Sequence, residues 1–134
     1  MISLERFTGA LLLGTLFLGG TSCGDASAQD PIDVFAEDLP CASAAGESWE
    51  SAEWPPFESA ECRWMEFDGR RTYRIAHPLG RRPQGIQLFL SFNEDGRDAA
   101  PSAGDPTRII AVNDDTLVLR NGSNQDFFLK VVLQ

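Results

Sequence analysis

Histidine occurs once in this chain, at His77, and neither a C-x-x-C pair nor a G-x-S-x-G run occurs at all. Each absence narrows the chemistry. Acid–base catalysis of the usual kind would rest entirely on His77, with no nucleophile signature beside it. Zinc would lack the paired thiols and imidazoles of its structural sites. No metal and no cofactor is implied. Also missing is any basic residue from Gly24 to Cys62, a stretch with ten acidic ones, whereas Arg63 to Gln134 holds nine acidic and ten basic. The two parts carry −10 and +1, Glu5 and Arg6 cancel, and the formal net charge is −9. This balance argues against nucleic-acid binding, because phosphate contact needs a basic face and an acidic arm repels a polyanion.

What is present begins with an export signal. Phe7 to Leu18 is an apolar run behind Arg6, the length of a secretory h-region and shorter than the ~20 apolar residues of a membrane span. Residues 1–22 therefore read as a signal peptide. The following Gly19-Gly20-Thr21-Ser22-Cys23 resembles a bacterial lipobox, with Gly20 where that pattern favours leucine. The resemblance implies a lipid on Cys23, the new N-terminus, and hence a membrane-anchored protein of the bacterial cell envelope. Cleavage after Ala26-Ser27-Ala28 is the alternative, releasing a soluble periplasmic or secreted protein from Gln29. Cysteine arithmetic favours the lipid. Three cysteines are an odd number for an exported chain, and lipidation of Cys23 leaves Cys41 and Cys62 to pair in an oxidising compartment. That bridge would close a loop of about 20 residues and stabilise the fold by ~3 kcal/mol.

Residues 23–62 read as an acidic tether, mostly irregular, since their Ala, Ser, Glu, Asp and Pro content cannot bury enough apolar surface to offset ordering entropy. One short helix is expected within it. Asp30 would be its N-cap, Pro31 its first residue, and Val34, Phe35 and Leu39 its apolar patch. Trp49, Trp54 and Phe57 are expected to pack on the domain edge beside the disulfide.

From Arg63 to Gln134 the apolar period is two, the spacing of a strand with one buried face. Strands are predicted over Arg63–Phe67, Thr72–His77, Ile86–Phe92, Thr107–Val112, Thr116–Arg120 and Phe127–Leu133. Asp68-Gly69, Asn113-Asp114-Asp115 and Asn121-Gly122 supply turns. Ile86, Leu88, Leu90 and Phe92 form one core face, and Phe127, Leu129, Val131 and Leu133 another. Six short strands without a helix-period segment among them specify an all-β domain, a small antiparallel sandwich or barrel over residues 63–134.

Between the second and third strands, His77-Pro78-Leu79-Gly80-Arg81-Arg82-Pro83 resembles the H-x-L-G-x-x-P element of small β-sandwich modules in phage tail-fibre and other surface-attachment proteins, with Pro78 where asparagine is common. His77, Leu79, Gly80 and Pro83 carry the resemblance. It implies a structural or attachment role and no enzyme. Physically, His77 can bond turn backbone, Gly80 permits positive φ and Pro83 sets the next strand's start. The leading expectation is a non-catalytic binding or structural module, an accessory subunit with an envelope protein or surface ligand as partner; the alternative is a small secreted hydrolase or enzyme inhibitor. Arg70, Arg71, Arg74, Arg81 and Arg82 are candidates for anion contact. The acidic arm is expected to meet them in loose, salt-sensitive pairs.

Overall fold

The computed structural model describes residues 29–134, so residues 1–22, expected to be a signal peptide, and Cys23 lie outside the described residues. Ten strands form two packed sheets: β1 (Ile32–Val34), β2 (Ser43–Ala45), β3 (Ser48–Glu50), β4 (Met65–Phe67), β5 (Thr72–Ala76), β6 (Ile86–Ser91), β7 (Ala100–Pro101), β8 (Arg108–Val112), β9 (Thr116–Arg120) and β10 (Phe127–Leu133). One sheet has the order β1-β5-β9-β8; the other runs β2-β3-β10-β6-β7, with β4 also on β10. The expected all-β sandwich is what forms.

Alternation places Tyr73 and Ile75 of β5 and Leu117 and Leu119 of β9 against Leu88, Leu90, Leu129, Val131 and Leu133 of the other sheet, with Trp49 and Phe67 in the same core. Full burial of such a side chain contributes roughly 1.5–3 kcal/mol. The strand that organises the larger sheet is β10. One of its edges pairs along its length with β6; the other is shared by β4 at Phe127 to Leu129 and β3 at Val132 and Leu133. Ser51 fills the gap between those two partners. Its N–H donates to the Val131 carbonyl at 2.9 Å, and its Oγ accepts the Val131 N–H at 2.8 Å.

The acidic segment is not a tether from Ile32 onward, and a domain boundary at Arg63 falls inside the folded unit. It supplies β1, β2 and β3. The expected helix over Asp30 to Leu39 is replaced by β1, which pairs in parallel with β5, and by a 3-10 turn over Ala36–Asp38 closed by a Phe35 N–H to Asp38 Oδ2 bond of 3.1 Å. The physical reason is packing. Ile32 and Val34, two apart, both cover the core when the backbone is extended, whereas a ten-residue helix is marginal without a matching apolar face. Leu39 and Trp49, buried at 8% and 2% exposure, continue the same attachment. Residues of this segment therefore offset their ordering entropy by contacts with strands far along the chain. The disulfide Cys41–Cys62 forms as expected, with Cα atoms 5.4 Å apart.

Two burial expectations change. Phe92 is 70% exposed rather than core, because β6 ends at Ser91, whose Oγ donates to the Arg97 carbonyl and turns the chain; Phe92 instead stacks on Phe127, ring centres 5.0 Å apart. β10 is buried on both faces. Leu129, Val131 and Leu133 face the core as expected, but Lys130 and Val132 are covered too. The cover over Lys130 is the acidic segment, through Glu50, Ala52 and Trp54.

Strand limits agree closely with the period-two pattern, with Thr116–Arg120 and Phe127–Leu133 matching at both ends. Thr107 belongs to a 3-10 turn, Asp105–Thr107, and β8 starts one residue later. β5 and β6 enter different sheets. The H-x-L-G-x-x-P connection thus crosses from one layer to the other.

Candidate anion-binding face

The outer face of the four-stranded sheet follows from the core on its inner side. Since Tyr73, Ile75, Leu117 and Leu119 point inward, Arg74 on β5 and Val118 and Arg120 on β9 point outward. Register completes the arrangement. Arg108 of β8 pairs with Arg120 of β9, and Arg74 pairs with Val118, so Arg74 is the diagonal neighbour of Arg120 on the same face. Directly opposed residues of antiparallel strands hold Cβ atoms about 4.5–5.5 Å apart, and like charges there are destabilising. Two arginines are nonetheless opposed in register here.

Their partners differ. Arg74 Nη1 bonds Asp33 Oδ1 at 3.1 Å, with both side chains about half exposed. Arg108 is in close contact with the Asp105 carboxylate. Arg120 donates from Nη1 only to the hydroxyl of Thr72, at 3.2 Å, and forms no ion pair among the described residues. A charged guanidinium with a neutral partner, flanked by two others, suits a planar anionic group held bidentately.

The five arginines close together in sequence do not come together in space. Arg70 takes left-handed backbone (φ 63°) in the β4–β5 turn and bonds Asn124 Oδ1 through Nε at 2.7 Å. Arg71 has a buried Nε without a partner. Arg81 donates to the Glu47 carbonyl at 3.0 Å, beside the hairpin of β2 and β3, and Arg82 is exposed next to it. Only Arg74 joins the face. Arg108 and Arg120 were not anticipated; the alternation in Thr116–Arg120 does aim Arg120 outward, but its opposition to Arg108 depends on register. One arm acid, Asp33, does meet a predicted arginine. It is held there by the β1–β5 pairing rather than by loose attraction.

His77 is buried at 6% exposure. Its backbone N–H donates to the Asp115 carbonyl at 2.9 Å, and its Nε2 lies 3.1 Å from the Asn113 carbonyl, so Nε2 carries a proton; Nδ1 has no partner among the described residues. The ring therefore ties the β5–β6 connection to the β8–β9 turn, not to its own turn. Gly80 has φ 66°, Leu79 packs on the core and Pro83 is buried.

Two further features surround the core. A cleft of about 500 Å³ opens between the sheets, walled by Ile32, Val34 and Met65 and reached by Tyr73. Burial raises the Tyr73 pKa; its hydroxyl accepts the Asp68 N–H at 2.8 Å, which partly counters the rise. On the opposite sheet, Lys130 Nζ lies 3.2 Å from Glu50 Oε2, touches the Ala52 carbonyl and sits 4.6 Å from the centre of the Trp54 ring. Burial lowers its pKa, and Glu50 opposes that shift. Trp54 is also edge-on to Trp64 and Phe89, at 5.7 and 4.7 Å. It remains 45% exposed on the domain edge, whereas Trp49 has moved into the core. Among the described residues the one cluster of metal-ligand type is Cys41, Glu53 and Cys62, whose two sulfurs are joined to each other.

No family model matches this chain, and comparisons with curated proteins and with solved structures find no match either.

Proposed function

We propose that this protein is a non-catalytic binding module of the bacterial cell envelope, anchored by a lipid on Cys23, whose four-stranded sheet presents its arginine face to an anionic group. The observation that carries this reading is the opposed pair Arg108 and Arg120 with Arg74 diagonal to it. Like charges opposed in register are destabilising, and an anion bound between the two arginines reverses the sign of that interaction. A role other than acid–base catalysis is supported by His77, whose Nε2 is engaged by a backbone carbonyl and whose Nδ1 meets no carboxylate or hydroxyl among the described residues. Export is supported by the Cys41–Cys62 disulfide, which persists in oxidising compartments.

Two measurements test the two halves. Expressed with its own signal, the protein partitions with membranes and Cys23→Ser does not; a mature N-terminus at Gln29 by mass spectrometry overturns the anchor. Titration with inorganic phosphate shifts the Arg120 Nε–H resonance before those of Arg70 and Arg82. Uniform shifts at all arginines would remove the site.

A further inference from the structure

We infer that the anionic partner of this face is the lipid surface to which the chain is anchored, an inference that rests on the anion-binding and lipid-anchor readings above. At the β8 edge of this sheet stand two of the largest exposed apolar side chains, Ile110 at 51% exposure, in the bulge beside the arginines, and Ile109 at 46%, on the inner face with Leu119. Both lie on β8, the edge strand of the same sheet, at a bulge between Ile109 and Ala111. Ile109 pairs with Leu119, which is fully buried, yet is itself nearly half exposed, so the opposing sheet does not extend beneath this edge. A soluble anion would use the arginines and leave the isoleucines in water. The boundary of an anionic bilayer takes both, guanidinium against phosphate and isoleucine against the apolar layer.

Chain length points the same way. β1, the opposite edge of this sheet, opens at Ile32, nine residues after Cys23. At about 3.3–3.6 Å per residue that span reaches no more than roughly 30 Å. A lipid on Cys23 thus leads directly into the arginine-bearing sheet. Charge then selects the orientation. Residues 29–134 contain 18 acidic and ten basic side chains, so an anionic surface repels most of the domain and favours approach through an arginine-bearing face; Asp33 and Asp105 at the flanks of this one are already paired. The attraction acts over a Debye length of about 8 Å at physiological ionic strength, and a lipid on Cys23 strengthens it by holding the face near that range.

The test uses unlipidated chain 24–134, whose core closes between Ile32 and Leu133, with vesicles of phosphatidylcholine with and without phosphatidylglycerol. Binding is expected only with phosphatidylglycerol and falls with salt. Arg120→Gln lowers partitioning about fivefold, the equivalent of about 1 kcal/mol per basic residue at an anionic surface, and Ile110→Ser lowers it as well. Arg82→Gln, an equal charge change away from the face, leaves it unchanged, and thermal melting confirms that all three variants fold. Equal binding to both vesicles, or an Arg82→Gln loss as large as that of Arg120→Gln, overturns the inference. A phosphate response at Arg120 without phosphatidylglycerol-dependent binding overturns the membrane partner and leaves the anion site standing. Response to neither removes both.

Discussion

Lys130 Nζ lies 3.2 Å from Glu50 Oε2, across 80 residues of chain, and this pair fastens the acidic segment onto the outer face of β10. Lys130 is the only lysine in the sequence and is fully buried. Its ammonium sits over the Trp54 ring and meets one carboxylate and the Ala52 carbonyl. Removing one partner of such a pair costs more than replacing the buried ion with an apolar residue of similar volume. Glu50→Gln is therefore expected to destabilise by about 1–3 kcal/mol, the range for an incompletely satisfied buried polar group, whereas Lys130→Met is near neutral. Urea denaturation gives both numbers; a larger loss for Lys130→Met would show that the ion pair itself carries the stability.

Stability should also depend on pH in the alkaline range. Burial lowers the Lys130 pKa below 10.5, so between the folded value and 10.5 the unfolded chain binds more protons and stability rises with pH. Tyr73 has the opposite sign. Its folded pKa is raised above 10.0, so above that pH the folded chain holds its proton longer and stability falls. Melting temperature is expected to climb toward pH 10 and then decline. In Lys130→Met the climb disappears and the decline remains.

Gly96 is expected to tolerate no side chain. Its φ is 73°, and an added Cβ would come 2.3 Å from Cε2 of Trp64, a fully buried ring fixed by an indole N–H bond to the Glu53 carbonyl. Gly46 has a similar φ of 61° but open space around it. Gly46→Ala should cost about 1–2 kcal/mol from backbone conformation alone, and Gly96→Ala clearly more, since a rigid ring must also move. Equal losses in thermal unfolding would refute the steric part.

Reduction of Cys41–Cys62 is expected to lower stability by ~3 kcal/mol in the chain-entropy account. The bridge joins the segment before β2 to the residues leading into β4. Amides of β5 and β9 that exchange only through global unfolding should lose protection by that amount, and β2 and β3, which the bridge flanks, should open locally as well. Unchanged protection in β5 and β9 would show that the bridge acts only locally.

Arg120→Glu should raise the melting temperature by an amount equivalent to roughly 0.2–1 kcal/mol, because it replaces a like-charge cross-strand pair with an opposite one. A drop would show that Arg120 already has a favourable partner.

Much of the strand pattern was legible because side-chain direction in a strand has a period of two, a local property: Thr116–Arg120 and Phe127–Leu133 end where the alternation ends. The candidate face was not legible. Arg70, Arg71, Arg74, Arg81 and Arg82 are near one another along the chain, yet two turns and a change of sheet scatter them, while Arg108 and Arg120 meet through a hairpin.

Composition misled for the acidic segment. It weighs residues one by one, but Leu39 and Trp49 are buried, and Ile32 and Val34 partly buried, by strands that lie elsewhere in the sequence. The sequence by itself determined the all-β class, the strand positions from Met65 onward other than β7, and the cysteines that pair, because alternation and cysteine parity need no knowledge of neighbours. Only the tertiary structure decided that the acidic segment is part of the sandwich, that Lys130 is buried and that three arginines share one face. Those depend on register and on which backbone edges remain open, and both are set by contacts between residues far apart in the chain.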